Sequence, residues 1–386
     1  MKNAFLNEIE TKKALADFII HADKLSMGEK CAEFEEQFAQ YQGSNDAILF
    51  NSGGSANLAM LQALKNLGRL KDGDKVGFSA LTWSTNVMPI IQMGFEPVPI
   101  DCEIETLNVS SKQLETRLKE TELKAFFVTN ALGFAGDLKK IKEICTEKNI
   151  ILIEDNCEAL GTELASGKSG SFGVAASFSF FVAHHMSTIE GGMVCTNDAE
   201  LAQMLRIVRA NGWDRNLSAS EQNKLRKAHG ITSELYAKYA FYDLGFNLRP
   251  TEITGFIGLY QLKFLEENIV ARGKNYKKVE DALKKNPDMI LIQHQEITRL
   301  SPFAMPFVCK DPECFKKYVS QFSGAGIEIR PMIAGNMQKQ PFYKKYVSKT
   351  YDLPNADFLH YNSFYCGNYP EMSRSDIETI ISCLTN

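Results

Sequence analysis

The sequence has no long apolar segment. No apolar run reaches the roughly 18 residues that a membrane-spanning helix needs, and the N-terminal residues are amphipathic and charged, without the apolar core of a signal peptide. These absences predict a protein that neither crosses a membrane nor is exported. We therefore expect a cytoplasmic location and no membrane partner.

An excess of positive charge is also missing. The chain has 43 Lys and Arg against 47 Asp and Glu, which gives a formal charge of -4. A protein that binds nucleic acid normally concentrates basic residues on one surface to neutralise phosphates. The composition therefore argues against nucleic acid as a partner.

The nine cysteines form no CxxC or CxC motif. Their number is odd, and several lie in apolar, strand-like segments, which indicates free buried thiols in a reducing compartment. A zinc or iron–sulfur site could be built only from ligands that are far apart in the sequence. We therefore expect no metal.

The sequence does contain a long alternation of strand and helix patterns. A chain of 386 residues is long enough for about two domains. Buried strand-like runs, such as residues 47–50 and 150–155, alternate with helical patterns, which predicts an α/β domain with a mainly parallel sheet. A single long helix that starts near Thr251 leads into shorter elements. We expect a large domain at 1–255 and a smaller α+β domain at 256–386.

A Gly/Ser turn joins the first strand to a helix in the segment NSGGSANLAMLQAL. A helix N-terminus presents free backbone N–H groups and the positive end of the helix dipole. The backbone of Gly54 and Ser55 could hold an anion such as a phosphate, although an ordinary strand-to-helix turn has the same pattern. Trp83 lies at a similar corner, where its ring could stack on a flat ligand or pack in the core.

Acidic residues end a later strand, in the segment IILIEDNCEALG. The carboxyl ends of parallel strands usually face the ligand crevice. We therefore expect Glu154, Asp155 and Glu158 to face a ligand. For Glu158, a solvated loop carboxylate is the alternative.

An adjacent histidine pair stands in the loop SFFVAHHMSTIEGG, which follows the next buried strand. Imidazole titrates near neutral pH, so His184 and His185 could transfer protons at a ligand site. The pair alone leaves a packing role equally open.

Seven motifs stand in the order found in one enzyme family. They are FEEQFAQYQG, SGGSANL, TWSTNV, IEDNCEALG, SFFVAHHMSTIEGG, LGFNLRPTEITGFIGLYQL and IRPMIAGN. Through them the chain resembles the sugar-nucleotide aminotransferases of the DegT/DnrJ/EryC1/StrS family. The resemblance implies the aspartate-aminotransferase fold (PLP fold type I), pyridoxal 5'-phosphate as cofactor, and a homodimer whose active sites are shared between the subunits.

One position departs from the aminotransferase pattern. In those enzymes the fifth residue after the serine of the SFxxxK motif is the lysine that binds the cofactor covalently, whereas the same count from Ser179 reaches His184. No lysine occurs between Lys168 and Lys224. An imidazole cannot form a stable imine, but it can accept and donate protons. This exchange resembles the 3-dehydratase branch of the family.

Enzymes of that branch remove the C3 hydroxyl of a 4-keto-6-deoxy nucleotide sugar. The lack of clustered cysteines resembles the type without an iron–sulfur cluster, which uses pyridoxamine 5'-phosphate and L-glutamate, acts on GDP-4-keto-6-deoxy-D-mannose and serves colitose-type O-antigen synthesis. The resemblance thus implies that glutamate generates the pyridoxamine cofactor and that His184 handles the protons while the hydroxyl leaves. Ammonia and 2-oxoglutarate are the expected by-products.

The resemblance also implies a set of cofactor-binding residues. They are Gly54, Ser55, Trp83, Asp155, Glu158, Ser179 and Asn247. Asp155 would keep a proton on the pyridine nitrogen, Trp83 would stack on the ring, and Glu158 would bond to the ring hydroxyl. The phosphate would meet the helix N-terminus and Ser179, and Asn247 would reach it from the neighbouring subunit.

Three further residues are candidates for the substrate. Arg249 and Arg330 would bind the glutamate carboxylates or the diphosphate as forked donors, or they would form surface ion pairs. His185 would contact the substrate, orient its loop or pack. Other functions stay open: an ordinary nucleotide-sugar aminotransferase, an iron–sulfur dehydratase, and a non-catalytic cofactor- or sugar-binding protein.

Overall fold

The structure, a computed structural model, describes residues 3–385 of the chain. Its helices are α1 (Glu8–His21), α2 (Glu29–Gln42), α3 (Gly53–Asn66), α4 (Met88–Gln92), α5 (Ser111–Leu118), α6 (Leu138–Glu147), α7 (Ala199–Arg209), α8 (Ala219–Ala228), α9 (Glu234–Ala237), α10 (Glu252–Leu262), α11 (Leu265–Leu283), α12 (Pro312–Gly324), α13 (Pro341–Tyr346), α14 (Pro354–Asn362) and α15 (Arg374–Thr385). Its strands are β1 (Asp46–Phe50), β2 (Lys75–Ser79), β3 (Glu96–Ile100), β4 (Ala125–Thr129), β5 (Ile151–Asp155), β6 (Glu163–Leu164), β7 (Gly167–Lys168), β8 (Ala175–Ser179), β9 (Gly192–Thr196), β10 (Met289–Ile290), β11 (Ile297–Arg299), β12 (Ala304–Cys309), β13 (Ile329–Pro331) and β14 (Ser363–Gly367).

A seven-stranded sheet lies at the centre of the N-terminal part of the molecule. Its strand order is β1-β9-β8-β5-β4-β2-β3. β2, β3, β4, β5 and β8 run parallel, and β9 is antiparallel to both β1 and β8. All residues of β4 and β8 are buried, as is typical of a parallel sheet covered on both faces. The predicted mixed, mainly parallel sheet is confirmed.

Two neighbouring carboxylates on β5 have different surroundings, because successive side chains point to opposite faces of a sheet. Glu154 is fully buried and accepts hydrogen bonds from the backbone N–H groups of Gly170, Phe172 and Gly173 at 2.7–2.9 Å. Asp155 instead lies at the crevice. The expectation that both face a ligand is therefore wrong for Glu154, which anchors the loop before β8.

The long helix expected from about Thr251 is two helices, α10 and α11, which are separated by two residues. Thr251 caps α10 as expected, since its Oγ1 accepts from the N–H of Thr254 at 3.3 Å. α10 packs closely against α2 at Gly258, where a Cβ would come within 2.4 Å of the Phe34 ring. The absence of a side chain at Gly258 lets the two helices meet.

A second, antiparallel sheet with the order β10-β12-β14-β13 forms the centre of the C-terminal part. Phe307, Phe322 and Phe364 pack ring to ring in its core, with 4.8–5.2 Å between centroids. The same core includes Leu132 from the loop after β4. The small sheet is thereby joined to the crevice edge of the large sheet. The domain boundary after residue 255 stays a prediction.

Three further features of the described residues concern the length of the helices, the cysteines and possible metal ligands. None of the described helices is long and apolar enough to cross a bilayer. All nine cysteines are free, and most are buried. Within residues 3–385, no group of three or more His, Cys, Asp and Glu side chains is placed to hold a metal ion.

Replacing Glu154 with alanine should destabilise the fold, because three buried backbone N–H groups would lose their acceptor. Each such loss costs about 1–3 kcal/mol, so the free energy of unfolding should fall by at least about 3 kcal/mol in urea denaturation. The matched control is Glu143→Ala at an exposed position of α6, where we expect less than about 0.5 kcal/mol. Equal effects of the two substitutions would rule out the anchoring role.

Candidate functional site

A cavity of about 630 Å³ opens at the carboxyl ends of the parallel strands. Thr129, Asp155 and Ser179 are the last residues of the neighbouring strands β4, β5 and β8, and all three line it. The small sheet contributes Arg330 and Tyr365 to the cavity wall. Strand ends that open into a crevice are where α/β proteins bind small molecules.

The structure brings most of the predicted site residues to this cavity, although they come from distant parts of the sequence. Those that line it are Gly54, Trp83, Asp155, Glu158, Ser179, His184 and Arg330. Ser55 lies one residue further along α3. His185, Asn247 and Arg249 lie outside the cavity wall.

The first turn of α3 can hold an anion. Ser52 caps the helix, and its Oγ accepts from the N–H of Ser55 at 3.1 Å. The first N–H groups of a helix have no partner within it, and Gly53 and Gly54 lie at the cavity wall beside Ser179. An anion here would meet these N–H groups, a hydroxyl and the positive end of the helix dipole. The N–H of Ser55, expected to serve a phosphate, bonds to the cap.

Two glycines allow close backbone approach behind this turn. A Cβ on Gly53 would lie 2.7 Å from the Cβ of Ser179. A Cβ on Gly192, the first residue of β9, would lie 2.3 Å from the carbonyl oxygen of Ser52. Both distances are too short for any side chain. Gly192 therefore supports the start of α3, a role that the sequence alone did not indicate.

Two amides hold the carboxylate of Asp155. Its Oδ2 accepts from Nδ2 of Asn86 at 2.7 Å and from Nδ2 of Asn57 at 3.1 Å, and its Oδ1 accepts from the N–H of Cys157 at 2.9 Å. The hydroxyl of Thr82 donates in turn to Oδ1 of Asn86 at 3.0 Å. Both asparagines lie within family motifs, but a motif does not show which group a side-chain amide contacts, so their role is visible only in the fold.

Glu158 presents a carboxyl group with a raised pKa. It lines the cavity, and its Oε2 accepts from the N–H of Leu132 at 2.9 Å. Burial raises the pKa of Glu158 to about 7, the hydrogen bond from Leu132 opposes this shift, and the negative charge of Asp155 adds to it. Near neutral pH the group is divided between acid and carboxylate, so it can give or take a proton.

His184 lies at the cavity on the loop after β8. Its ring packs against Phe303 at 5.0 Å and edge-on against Phe181 at 6.2 Å between centroids. Its Nδ1 is buried and has no hydrogen-bond partner within the described chain. Burial, followed by the positive charge of Arg272, lowers the pKa of His184 to about 3. The imidazole is therefore neutral and able to accept a proton.

His185 is fully buried outside the cavity. Its Nε2 lies 3.1 Å from the carbonyl oxygen of Ser301, to which it can donate. Its ring also packs against Phe303, at 6.1 Å between centroids. The predicted contact with substrate is at odds with this burial. The geometry instead gives His185 a packing role that ties the histidine loop to the segment before β12.

Asn247 and Arg249 lie beside the cavity on the segment before α10. Nε of Arg249 donates to Oδ1 of Asn247 at 3.0 Å, and the pair is exposed. The N–H of Asn51, next to the start of α3, donates to the carbonyl oxygen of Leu248 at 3.0 Å. The segment is thus anchored near the cavity, but these two side chains do not line the cavity of their own subunit.

The small sheet and the residue before it bring Tyr365 and Phe303, which no sequence motif marks, to the cavity together with the predicted Arg330. Tyr365 on β14 lines the cavity, and burial raises the pKa of its phenol to about 12, so it stays a neutral donor. Phe303 covers the imidazole of His184. Arg330 lines the cavity and forms an ion pair with Glu328. A motif near the N-terminus does not reveal which C-terminal side chains fold onto it.

A family comparison covers almost the entire chain. The sequence profile of the DegT/DnrJ/EryC1/StrS aminotransferase family matches residues 7–385. The match includes every residue that lines the cavity.

Individual relatives are also similar over most of their length. GDP-4-keto-6-deoxy-D-mannose 3-dehydratase of Escherichia coli O55:H7 is 35% identical, with 91% of this chain and 90% of the relative covered. The protein of the same name from Yersinia pseudotuberculosis is 33% identical, with 95% and 93% covered. A crystal structure of GDP-4-keto-6-deoxymannose-3-dehydratase with a trapped PLP-glutamate geminal diamine superposes with a TM-score of 0.89, 33% identity and 97% of each chain covered.

Between about pH 4.5 and 7 the ionisation of Glu158 should destabilise the folded protein, and substituting Glu158 with glutamine should remove this loss of stability. The pKa of Glu158 is raised from 4.5 to about 7, so the folded state favours the protonated carboxyl. Its contribution to stability is complete below about pH 4.5 and is lost as the pH rises through about 7. The melting temperature of Glu158→Gln, relative to wild type, should therefore rise across this range. The exposed control Glu147→Gln should follow wild type, and parallel curves for Glu158→Gln would contradict the raised pKa.

Proposed function

The chain belongs to the DegT/DnrJ/EryC1/StrS aminotransferase family, and from this premise we propose that it is a 3-dehydratase that uses pyridoxal and pyridoxamine 5'-phosphate. It removes the C3 hydroxyl of GDP-4-keto-6-deoxy-D-mannose, with L-glutamate as amino donor, and releases ammonia and 2-oxoglutarate. The product serves the synthesis of a colitose-type 3,6-dideoxysugar for O-antigen. We place the reaction in the cytoplasm, where the nine free cysteines stay reduced.

The observation that carries this proposal is the imidazole of His184 at the cavity. No lysine lines the cavity in the part of the chain that the structure describes. An aminotransferase, the alternative within the family, needs such an amine to hold its cofactor between turnovers. A non-catalytic binding protein would have no use for a proton-transferring group in the same cavity as a carboxyl with a pKa of about 7.

The residues at the cavity fit the cofactor. Its phosphate would meet the N–H groups of Gly53 and Gly54 and the hydroxyl of Ser179. Asp155, held by two amides, would keep the pyridine nitrogen protonated. The ring of Trp83, 54% exposed at the cavity, is free to stack on a flat ligand. When bound, the cofactor supplies the amine that joins the C4 ketone and the electron sink that lets the C3 hydroxyl leave.

His184 moves the proton in this elimination. In its neutral form the imidazole would accept a proton from the methylene carbon of the bound cofactor. The protonated ring then donates to the C3 oxygen, which leaves as water, because hydroxide is a poor leaving group.

Glu158 holds a second proton at the cavity. Its carboxyl is fixed by the N–H of Leu132 and has a pKa of about 7. When protonated it would donate a hydrogen bond to the ring hydroxyl of the bound cofactor, and when ionised it would accept one. Because it can hold or release this proton, the carboxyl of Glu158 can compensate a change of charge on the cofactor ring.

Two arginines and a second subunit complete the substrate site. Arg330, on the cavity wall, would bind the carboxylates of glutamate or the diphosphate as a forked donor. Arg249 and Asn247 would act in the site of the neighbouring subunit of a homodimer. In support, Tyr236 and Tyr239, just before them in the sequence, are 75% and 73% exposed in a single subunit. Such exposed aromatic residues mark a surface that a partner covers.

The proposed reaction is tested by following both products. The protein is incubated with pyridoxal phosphate, GDP-4-keto-6-deoxy-D-mannose and L-glutamate labelled with heavy nitrogen. We expect a sugar lighter by one oxygen atom, with the label in free ammonia, both measured by mass spectrometry. Label retained in the sugar would show an aminotransferase instead. A panel of 4-keto-6-deoxy sugars on other nucleotides tests the choice of GDP.

The role of His184 is tested by His184→Lys. The lysine amine should bond covalently to the cofactor, which borohydride reduction followed by peptide mass spectrometry detects. Dehydration should fall by at least about 100-fold, because the group that moves the proton is lost. His184→Asn is the matched control: it loses the same activity but offers no amine, so the cofactor stays non-covalent. Unchanged dehydration in either variant would exclude this role.

A further inference from the structure

Arg272 on α11 is a buried cation that makes its hydrogen bonds to uncharged oxygens. It is 1% exposed. Its Nε donates to Oδ1 of Asn268 at 2.7 Å, and its Nη1 donates to the carbonyl oxygens of Phe303 at 2.9 Å and Asn368 at 2.5 Å. Its Nη2 donates to the carbonyl oxygen of His184 at 3.0 Å. One guanidinium therefore joins α11 to the histidine loop and to the end of the small sheet where β12 begins and β14 ends.

Arg272 and Asn268, one helical turn apart, hold the histidine loop together. Nδ2 of Asn268 donates to the carbonyl oxygen of His185, so the two successive carbonyls of the loop bond to one face of α11. Phe303, whose carbonyl oxygen accepts a hydrogen bond from Nη1 of Arg272, also packs its ring on the imidazole of His184. The backbone and the ring of His184 are thus both fixed by groups bonded to Arg272.

A buried charge has a high desolvation cost, and a well-packed apolar side chain usually serves stability equally well. Neutral donors could join α11, the histidine loop and the end of the small sheet without the cost of desolvating a charge. The guanidinium also acts on the reaction centre, because after burial it is the next largest cause of the low pKa of His184. A role beyond packing explains the charge.

We propose that Arg272 is a positioning residue for the dehydration, which fixes the backbone of His184 and sets a positive charge beside its ring. The inference rests on the proposed function and extends it. The charge makes the protonated imidazole a stronger acid. The proton that His184 takes from the cofactor carbon is therefore delivered readily to the C3 oxygen, and water leaves with the electron pair of the C–O bond.

Other charged and titratable groups also surround the imidazole. Those that line its cavity or the small crevice behind it are Asp155, Cys157, Glu158, Glu190, Arg330, Tyr365, His185, Tyr369, Glu371 and Arg272. All except Arg272 are unchanged in the variants below. A difference between variants therefore reports on the guanidinium alone.

The experiment uses Arg272→Met, Arg272→Lys and the control Arg117→Lys in the full-length protein. Arg117 is also buried and donates to the backbone carbonyls of Pro99 and Asp352 at 3.0 and 3.2 Å, but it bonds to no residue of the histidine loop. Dehydration is measured as kcat and KM per mole of bound cofactor. The ring of His184 is titrated by NMR of labelled histidine without cofactor, with His184→Asn identifying its signal.

We expect Arg272→Lys, which keeps the charge but not the fork, to lower kcat by about 100-fold with little change in KM, whereas Arg117→Lys changes neither. Arg272→Met should move the imidazole titration and the acid limb of the kcat profile to higher pH. If Arg272→Met does not fold, the proposal is judged by comparing kcat of Arg272→Lys with kcat of Arg117→Lys.

Equal kcat for the two lysine variants, or an unmoved titration in a folded Arg272→Met protein, would overturn the proposal. Because the titration needs no substrate, it remains informative if the wild-type protein proves to catalyse a different reaction. Absence of dehydration in wild type would overturn the proposed function, whereas the NMR result alone judges the effect of the guanidinium on the ring.

Discussion

The alternation of side chains along β5 is the constraint on which the cavity depends. Glu154 and Asp155 have the same functional group and are adjacent, yet a strand cannot turn both to one side. The first is bonded to backbone N–H groups of the loop before β8, and the second is held by two asparagines at the strand end. The other parts of the site, the start of α3, Glu158 and the histidine loop, are arranged around that fixed carboxylate.

Burial shifts the pKa values of Glu158 and His184 in opposite directions. It raises the pKa of Glu158 and lowers that of His184, and in both cases it favours the neutral form. Near neutral pH His184 is thus uncharged, whereas Glu158 is divided between acid and carboxylate. A charged ligand in the cavity would shift both protonation equilibria. This coupling suits a reaction in which a proton must first be taken and then returned.

The sequence predicted what depends on local pattern. The parallel sheet, the Thr251 cap and the meeting of strand-end residues all follow from short-range periodicity and turn chemistry. The burial of His185 depends instead on a contact with Ser301, 116 positions away, and the bond from Arg272 to His184 spans 88 positions. A single sequence does not display such contacts. The choice of cofactor came from the family resemblance and not from spacing or composition.

Gly192 does not line the cavity, but its backbone lies directly against the peptide that precedes α3. Any side chain at this position would push Ser52 and Gly53 outward and misalign the N–H groups that face the cavity, while every catalytic group stayed chemically intact. Such a protein would fold around the correct chemistry and simply release its coenzyme. In a colour screen for retention of vitamin B6, a substitution of this glycine should therefore score like a substitution of the residues proposed to bind the phosphate.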